Sequence, residues 1–594
     1  MHCSSGSLFV MLPVLWLLHL AINNFALIHA IPLKPGTEPT PLYKCSQVEF
    51  SMVHDQNDHF TILPPEWKSA LDLFSLHPHV KPFIDTSKRV SIIFALKPNH
   101  EEWLRKAFHQ VSDPSSPQFR HYYSMKEIEQ YTKPRNAHVQ LVLKYIREVL
   151  PSEDIILQRI SHHENFIQVQ LPIRVVNECF QANMMPFIHE TTKRVVYRSV
   201  NGYSIPQVLR EVLDEIIGIH QFPILPQQAA LKKLDASSSS PYITNPPSIW
   251  KRYNITLPMV TSPKNKQSVA SFLEQYVLPQ DLQQFQQLFK LPQMTPTIIG
   301  PNDPKEPGFE ATLDIQYIMA VGYLVNTSIN SIKYSDDDDE PFIDWVHQIQ
   351  SEGDQAAWVH SISYGQVEKY VSKSYQRIID TEFMKIGLSG RSILVASGDF
   401  GARCSSDGSK FQAEWPTSSP FATSIGATEP DEAAKEVSVK WSGGGFSESY
   451  SMPEYQQDVV NAYLRQPSVP PRSYFNDKGR AYPDISAVGV NYQIILSGQL
   501  KNVSGTSCST PCTAGIISLL NDLRFKLGKA PLGFLNPWLY KDVITVPGAL
   551  FDITHGNNAV SPCPGFSAVQ GFDPISGLGV LNFDVLRRVA ITSP

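Results

Sequence analysis
Histidine is nearly absent from the second half of this chain. Fifteen of its 18 histidines precede residue 240, and between there and Ser507 only His347 and His360 remain. His347 sits in Asp344-Trp345-Val346-His347-Gln348, which reads as an amphipathic helix. His360 precedes Ser361-Ile362-Ser363-Tyr364-Gly365, a buried strand and its exit turn. Both read as structural, so an imidazole base has no good candidate here. Excess basic charge is also missing: the net charge is -6 and the isoelectric point is near 6.3. This argues against nucleic acid and an anionic membrane surface as partners. Beyond Leu8–Leu18 no stretch is long and apolar enough to span a bilayer, and that run reads as the core of a secretory signal peptide cleaved after Ala30. Cysteine is sparse. Cys3 leaves with the signal, and six remain: Cys45, Cys179, Cys404, Cys508, Cys512 and Cys563. Cys508 and Cys512, four apart on an expected helix, read as small buried packers rather than a bridge or a metal pair.

The remainder suits a large secreted protein. At 594 residues and 42% hydrophobic content the chain can bury a sizeable core. From about 65 to 222 short strands and helices mix in an α+β manner: a strand at Arg89–Leu96, a helix around Trp103–Phe108, a helix at Val139–Val149 and an alternating strand at Asn165–Leu171. A loose connector, Gln227 to Pro247, contains Ser237-Ser238-Ser239-Ser240-Pro241 and reads as an exposed, cleavable linker. From Pro247 onward apolar strands at Ser268–Phe272, Ala357–Ser363 and Ser392–Ala396 alternate with helices, the pattern of a parallel sheet covered on both faces. The acidic run Asp336–Glu340 lacks glycine and ligand spacing, so it reads as a solvated loop.

Chemistry concentrates in four places. Ser504-Gly505-Thr506-Ser507-Cys508-Ser509-Thr510-Pro511 leads a small, bend-prone segment into a serine at a helix start, with its hydroxyl exposed and its N–H facing a developing oxyanion. Glu310 and Asp314, at i and i+4 in Glu310–Met319, share one helix face. Two like charges held that close disfavour full ionisation, so they should share a proton. Ile393–Ala402 reads as a buried parallel strand running into a Gly-flanked turn that carries Asp399 at the strand's carboxyl end, where α/β sheets place their sites.

The Ser507 motif is shared by subtilisins and sedolisins. The Asp-Ser/Thr-Gly turn and His-Gly-Thr-His stretch that a subtilisin needs upstream are both missing. With Ser112–Gln118, Lys251–Asn254, Ser363–Gly365, Ser397–Asp399, Ser442–Ser447, Gly479–Asp484 and Leu532–Pro537 in the same order, the chain resembles the sedolisin family of serine-carboxyl peptidases from about residue 60 to its C-terminus. The resemblance implies an α/β, subtilisin-like catalytic domain over 241–594, with a parallel sheet flanked by helices. It implies a signal peptide over 1–30 and a propeptide over 31–240 that includes the linker. That propeptide would be α+β and ferredoxin-like, and would act as an intramolecular inhibitor. Ser507 would be the nucleophile, Glu310 the general base, Asp314 its partner and Asp399, protonated, an oxyanion donor. A histidine is charged at about pH 4–5 and cannot accept a proton there, whereas a glutamate still can, so the constellation implies acid activity.

Further implications concern ligands and products. One structural Ca²⁺ would be held by Asp552 and Asp573 with carbonyls of Ile553, Val569 and Gly571. Valine at 569 would be strained if the position needed a positive φ. Cys404 and Cys563 would form a disulfide. Sequons at Asn254, Asn326 and Asn502 fit a secreted or lysosomal glycoprotein, although a glycan on Asn502 would crowd the cleft, which favours the first two. The implied reaction removes tripeptides from free N-termini of polypeptides, and Glu368 is the one acid left near the Ser363–Gly365 turn to meet the substrate's ammonium. An acid endopeptidase of the same family is the alternative. The histidines crowded before residue 240 are expected to gain charge in acid and loosen the propeptide.

Overall fold
The computed structural model describes residues 50–52, 63–70, 85–151, 154–223, 242–333, 340–433 and 435–594. The signal segment, Cys45, His77, His79, the serine connector and Asp336–Asp339 lie outside these.

The N-terminal unit is built on four antiparallel strands: β1 (Arg89–Leu96), β2 (Ile156–Ile160), β3 (Phe166–Pro172) and β4 (Leu213–Ile217), in the order β2-β3-β1-β4. Helices α1 (Glu101–Ser112), α2 (Met125–Thr132) and α3 (Asn136–Glu148) separate β1 from β2, and α4 (Ile173–Cys179) follows β3. This is the expected ferredoxin-like arrangement. Its core is apolar: Val90, Ile92 and Phe94 of β1 meet Val139, Val142 and Ile146 of α3 and Ile167, Val169 and Leu171 of β3. Period-2 and helical spacing put these residues on facing surfaces.

The second unit carries a ten-stranded sheet. Its strands are β5 (Lys266–Ser271), β6 (Thr297–Ile299), β7 (Asn326–Ser331), β8 (Val359–Ile362), β10 (Ser392–Ala396), β12 (Thr423–Pro430), β13 (Glu436–Ser438), β14 (Ile485–Val488), β15 (Leu550–Phe551) and β16 (Val580–Leu581). The order is β6-β7-β5-β8-β10-β12-β14-β16-β15, and β13 pairs with β12. Every pairing from β6 to β16 is parallel, whereas β13 and β15 run antiparallel. A separate ribbon joins β9 (Gln366–Val367) to β11 (Glu414–Trp415).

Helices α5 (Phe309–Val321), α6 (Pro341–Glu352), α7 (Lys373–Leu388) and α8 (Thr506–Lys526) cover this sheet. Helix α5 is buried along nearly its whole length, which is why Glu310 and Asp314 end up away from water. It crosses α8 at Gly515, where a Cβ would stand 2.6 Å from the Gly322 amide nitrogen and 2.7 Å from Val321 Cβ. Only a glycine allows the two site-bearing helices to approach this closely. Two sequence motifs meet below them. Arg480 donates to Asp484 at 2.6 Å, and Asn536 and Tyr540 donate to the same carboxylate at 3.2 and 3.0 Å.

The cysteines follow the reading closely. Cys404 and Cys563 are bridged, with Cα atoms 5.6 Å apart, and tie the segment after Asp399 to the C-terminal loop. Cys508 and Cys512 are free and buried. Cys179 is disulfide-bonded to a partner outside the described residues, a bridge that spacing had not suggested.

The two units share cores rather than merely touching. Leu104, Phe108, Met125 and Ile128 pack with Met384, Leu388 and Phe534, and Phe166 joins Trp345 and Phe383. Polar contacts fix the register: Asn165 Nδ2 donates to Glu382 Oε1 at 2.9 Å, and Gln221 accepts from the Ser372 amide at 2.8 Å. Arg159 pairs with Asp344. His347, on α6, stacks on Phe166 at 5.3 Å. Burial, reinforced by the Arg159 charge, pushes its imidazole down to about 3. Among the N-terminal histidines His163 and His220 are buried and held low as well, to about 3 and about 4.

A group depressed in the docked state stabilises docking above its free value and loses that contribution as pH falls toward the depressed one. For His347 the window runs from about 6.5 down to about 3. At pH 4.5 the loss is about 2–3 kcal/mol. Asp344, raised by burial, works in the opposite sense. In the Ser507→Ala precursor, His347→Gln should therefore shift the balance of melting temperatures toward relatively greater stability at pH 4.5 than at pH 7. An unchanged pH dependence in that variant would remove His347 from the account.

Candidate active site
Ser507 is the second residue of α8, whose N-cap is Gly505. Amides in a helix's first turn have no intrahelical acceptor, so the Ser507 N–H is available to an anion. The entry is tightly packed. Gly505 donates its N–H to Gly489 O at 2.9 Å, and Ser509 Oγ donates to Ala487 O at 2.9 Å. The serine hydroxyl is thereby held by the helix end rather than by a loop.

Glu310 lies in the first turn of α5, after the N-cap Gly308. Its amide donates to Gln275 Oε1 at 3.0 Å. The hydroxyls of Ser507 and Ser363 lie beside its carboxyl, close enough to oppose the rise in its pKa. Asp314, one turn on, is wholly enclosed and accepts from Ser363 Oγ at 3.0 Å. One oxygen on each acid, Glu310 Oε1 and Asp314 Oδ2, is buried without a donor. A single proton held between the acids satisfies both. Burial pushes Glu310 up to about 8, with the Asp399 charge adding to it and the two serine hydroxyls opposing. Burial, and then Glu310, hold Asp314 well above the usual carboxylate range. The two therefore titrate as a coupled dyad in which burial holds both acids toward their protonated forms.

Asp399 follows β10 in a turn whose Gly398 has φ +102°. Its Oδ1 accepts from the Thr506 amide at 2.7 Å and from Thr506 Oγ1 at 2.8 Å. Its Oδ2 is directed at Gly505, where a Cβ would come within 3.0 Å of it. Burial raises its pKa, the Thr506 bonds oppose this, and the Glu414 charge adds to it. A protonated Oδ2 can donate beside the Ser507 N–H. The Ser442–Ser447 motif supports this turn: Gly443 donates to Gly398 O at 2.7 Å, and a Cβ at 443 would lie 2.2 Å from Ser397 O.

All four predicted residues thus converge from three elements. The histidines do not join them. His360 pairs its Nδ1 with Ser268 Oγ at 2.7 Å inside the sheet, and His347 faces the N-terminal unit. Two contributors were missed. Ser363 bridges the acid pair from 49 residues away, and Thr506 orients Asp399 from 107 residues away. Both lay within motifs already noted, but a lone hydroxyl carries no spacing signal.

Glu368 departs from its expected role. It is 1% exposed, and its oxygens accept from Ser418 Oγ at 2.7 Å, Ser447 Oγ at 2.6 Å and the Glu448 and Ser449 amides at 2.7 and 3.1 Å. A carboxylate saturated in this way anchors a loop and has no oxygen left for a substrate ammonium.

The expected calcium ligands cluster on one C-terminal loop. Asp573 is fully buried and accepts from the amides of Val569, Ile575 and Ser576 at 3.2, 3.1 and 2.9 Å. Asp552 accepts from the Gly571 amide at 2.8 Å. Burial raises both acids, Asp573 to about 7. Gly571 has φ +86°, and Val569 is not in the left-handed region, so the feared strain at 569 does not arise. Two carboxylates meet at the 569–571 turn and are ligands of the kind a hard divalent cation takes, although Asp573 already accepts three amide N–H groups and the Ser576 hydroxyl at 3.0 Å.

Residues 79–222 match the model described as pro-kumamolisin, activation domain, and residues 295–530 match the subtilase family. Tripeptidyl-peptidase 1 of Dictyostelium discoideum is 32% identical over 85% of this chain and 90% of its own length. The Mus musculus and Homo sapiens proteins of the same name are 34% and 33% identical, each over 90% of this chain and 95% of theirs. Among solved structures, a Pseudomonas sedolisin, a serine-carboxyl proteinase, superposes with a TM-score of 0.50 at 23% identity, over 59% of this chain and 98% of that one. Fold, acid pair and helix-borne serine together define a serine-carboxyl peptidase with an activation domain. Within that class the chain belongs to the tripeptidyl-peptidase 1 family.

Replacing Glu310 by Gln or Asp314 by Asn should lower kcat/KM by about 1,000-fold or more, as expected for groups acting as one unit with the nucleophile. Ser363→Ala removes a hydrogen bond that favours the charged form of the pair. Its acid limb of kcat/KM should therefore move to higher pH, read from pH profiles on one peptide substrate.

Proposed function
We propose that this chain is a zymogen whose peptidase unit, once freed of residues up to about 240, releases tripeptides from free N-termini of polypeptides in an acidic compartment. The Ser507 hydroxyl set beside the Glu310 carboxyl carries the catalytic half of this reading. The tripeptide half leans on the similarity to the tripeptidyl-peptidase 1 relatives, which spans nearly the full length of both chains. The signal-like Leu8–Leu18 run and the exposed Asn254 and Asn326 sequons support a secretory route toward a lysosome-like compartment.

In the reaction Ser507 Oγ attacks the scissile carbonyl as Glu310 takes its proton, and the dyad, singly ionised through the proton shared with Asp314, becomes neutral. The tetrahedral oxyanion is received by the Ser507 N–H and the Asp399 O–H. Glu310 then returns the proton to the departing amine, leaving an acyl-enzyme that water cleaves by the same steps in reverse order. Activity needs the dyad singly ionised and Asp399 protonated. It rises as the dyad loses its first proton and fades as Asp399 ionises, a limit that burial moves upward from the ordinary aspartate value.

Calcium would be held by Asp552 and Asp573 with the carbonyls of Ile553, Val569 and Gly571. When bound it would supply positive charge between the buried Asp573 and the exposed Asp552, and would perform no chemistry. An acid endopeptidase remains the second reading, favoured by one observation: Glu368 is sealed, and Gln366 and Val367 beside it are uncharged.

Activity on a peptide with a free N-terminus should peak in acid and disappear by about pH 8, and N-acetylation of that peptide should abolish cleavage. Equal rates on free and acetylated peptides would select the endopeptidase. Chelation of calcium should lower the melting temperature and accelerate inactivation, and Asp573→Asn should remove the chelator's effect.

A further inference from the structure
The activation domain carries a cluster that the peptidase chemistry does not use. Glu129 of α2 faces His162 and His163, which sit in the turn between β2 and β3. His162 Nδ1 and His163 Nε2 each stand 3.9 Å from Glu129 Oε2. All three ligand atoms lie within 4.8 Å of one another. These spacings are too long for hydrogen bonds and slightly longer than those between neighbouring ligands on a tetrahedral zinc ion, roughly 3.3–3.5 Å for metal–ligand bonds near 2.0–2.1 Å. The two glutamate–histidine gaps need about half an ångström of closure to reach a metal-bound geometry, and the histidine pair, within 4.8 Å, needs at most about 1.5 Å. The His162 side chain, 58% exposed, is free to supply that movement.

His163 is the observation that points to a ligand. It is 2% exposed, and its Nδ1 is enclosed without any partner. The ring's other nitrogen is aimed at Glu129 with no hydrogen bond to occupy it. Nε2 is therefore the ring atom open to a ligand, whereas Nδ1 has no partner in either case. The turn that presents it is rigid: Ser161 Oγ donates to Asn165 Oδ1 at 2.8 Å and accepts from the Phe166 amide at 3.0 Å. Glu129 divides its oxygens, with Oε1 3.8 Å from Lys133 Nζ and Oε2 turned to the histidines. Lys133 also pairs with Glu164 at 3.2 Å, and the buried Lys385 across the interface pairs with Glu382 at 2.6 Å. The nearby cations are therefore already matched by acids outside the cluster.

We propose that Glu129, His162 and His163 form a zinc-binding site on the activation domain, with a fourth position open to solvent. Two imidazoles and a carboxylate select a borderline transition ion over Ca²⁺ or Mg²⁺, which prefer oxygen ligands alone. The site joins α2 to the β2–β3 turn. Both elements lie on the docked face: Met125 and Ile128 of α2 pack on Met384 and Leu388 of α7, and Asn165 donates to Glu382. Zinc bound there ties together two pieces of the activation domain that grip the same peptidase helix, and so stabilises the docked precursor.

The test uses the full-length Ser507→Ala precursor, stripped of transition metals and kept in Ca²⁺ so that oxygen-rich sites are filled. Zn²⁺ is titrated by calorimetry at neutral pH, and melting temperature is recorded with and without it. One equivalent should bind and raise the melting temperature. His162→Ala, a change at an exposed side chain, and Glu129→Gln should each weaken binding at least tenfold and abolish the thermal shift. The absence of binding would overturn the proposal. So would Zn²⁺ binding of unchanged affinity in both variants, which would place the ion on other histidines.

Discussion
Everything at this site depends on two carboxyl groups being forced to share one proton out of reach of water. Glu310 and Asp314 sit one helical turn apart on α5, and each keeps an oxygen with no donor. In water such a pair would simply ionise and repel. Enclosed between the sheet and α8, it becomes a proton acceptor that still functions where imidazole is already charged. The rest of the peptidase unit is arranged to keep that pair beside the serine. Gly515 lets α5 and α8 close on each other, Ser363 holds both acids, and Gln275 fixes the start of α5.

The same logic of burial governs the precursor. The activation domain does not lie loosely across its partner; it completes hydrophobic cores around α6 and α7. Ionisable groups caught in that contact, such as His347 against Phe166, are comfortable there only while uncharged. Acid thus affects the two halves of the molecule in opposite ways. It brings the catalytic acids into their working protonation state, and it charges groups that docking had kept neutral.

Much of this was legible in the chain. The i, i+4 spacing of Glu310 and Asp314, the small residues around Ser507 and the strand-to-turn run ending at Asp399 are local signals, and each survived unchanged. The α+β character of the activation domain also followed from the alternation of short strands and helices, and the family resemblance implied its ferredoxin-like fold. Glu368 misled because proximity in sequence to the Ser363–Gly365 turn says nothing about which way a carboxylate points. Its oxygens are taken by Ser418, Ser447 and two amides that come from 50 to 81 residues further on. Ser363 and Thr506 went unrecognised for the converse reason: a hydroxyl acquires a role only from what folding brings against it.

The sequence by itself determined the chemistry, because a nucleophile, its base and an oxyanion donor must be particular residue types, and the near-absence of histidine after residue 240 left carboxylates to do the work. Tertiary structure decided how strongly they hold their protons. The i, i+4 spacing already pointed to a shared proton on Glu310 and Asp314, but the raised pKa values of Glu310, Asp314 and Asp399 cannot be read from spacing, since they arise from the loss of water around these groups once the chain folds.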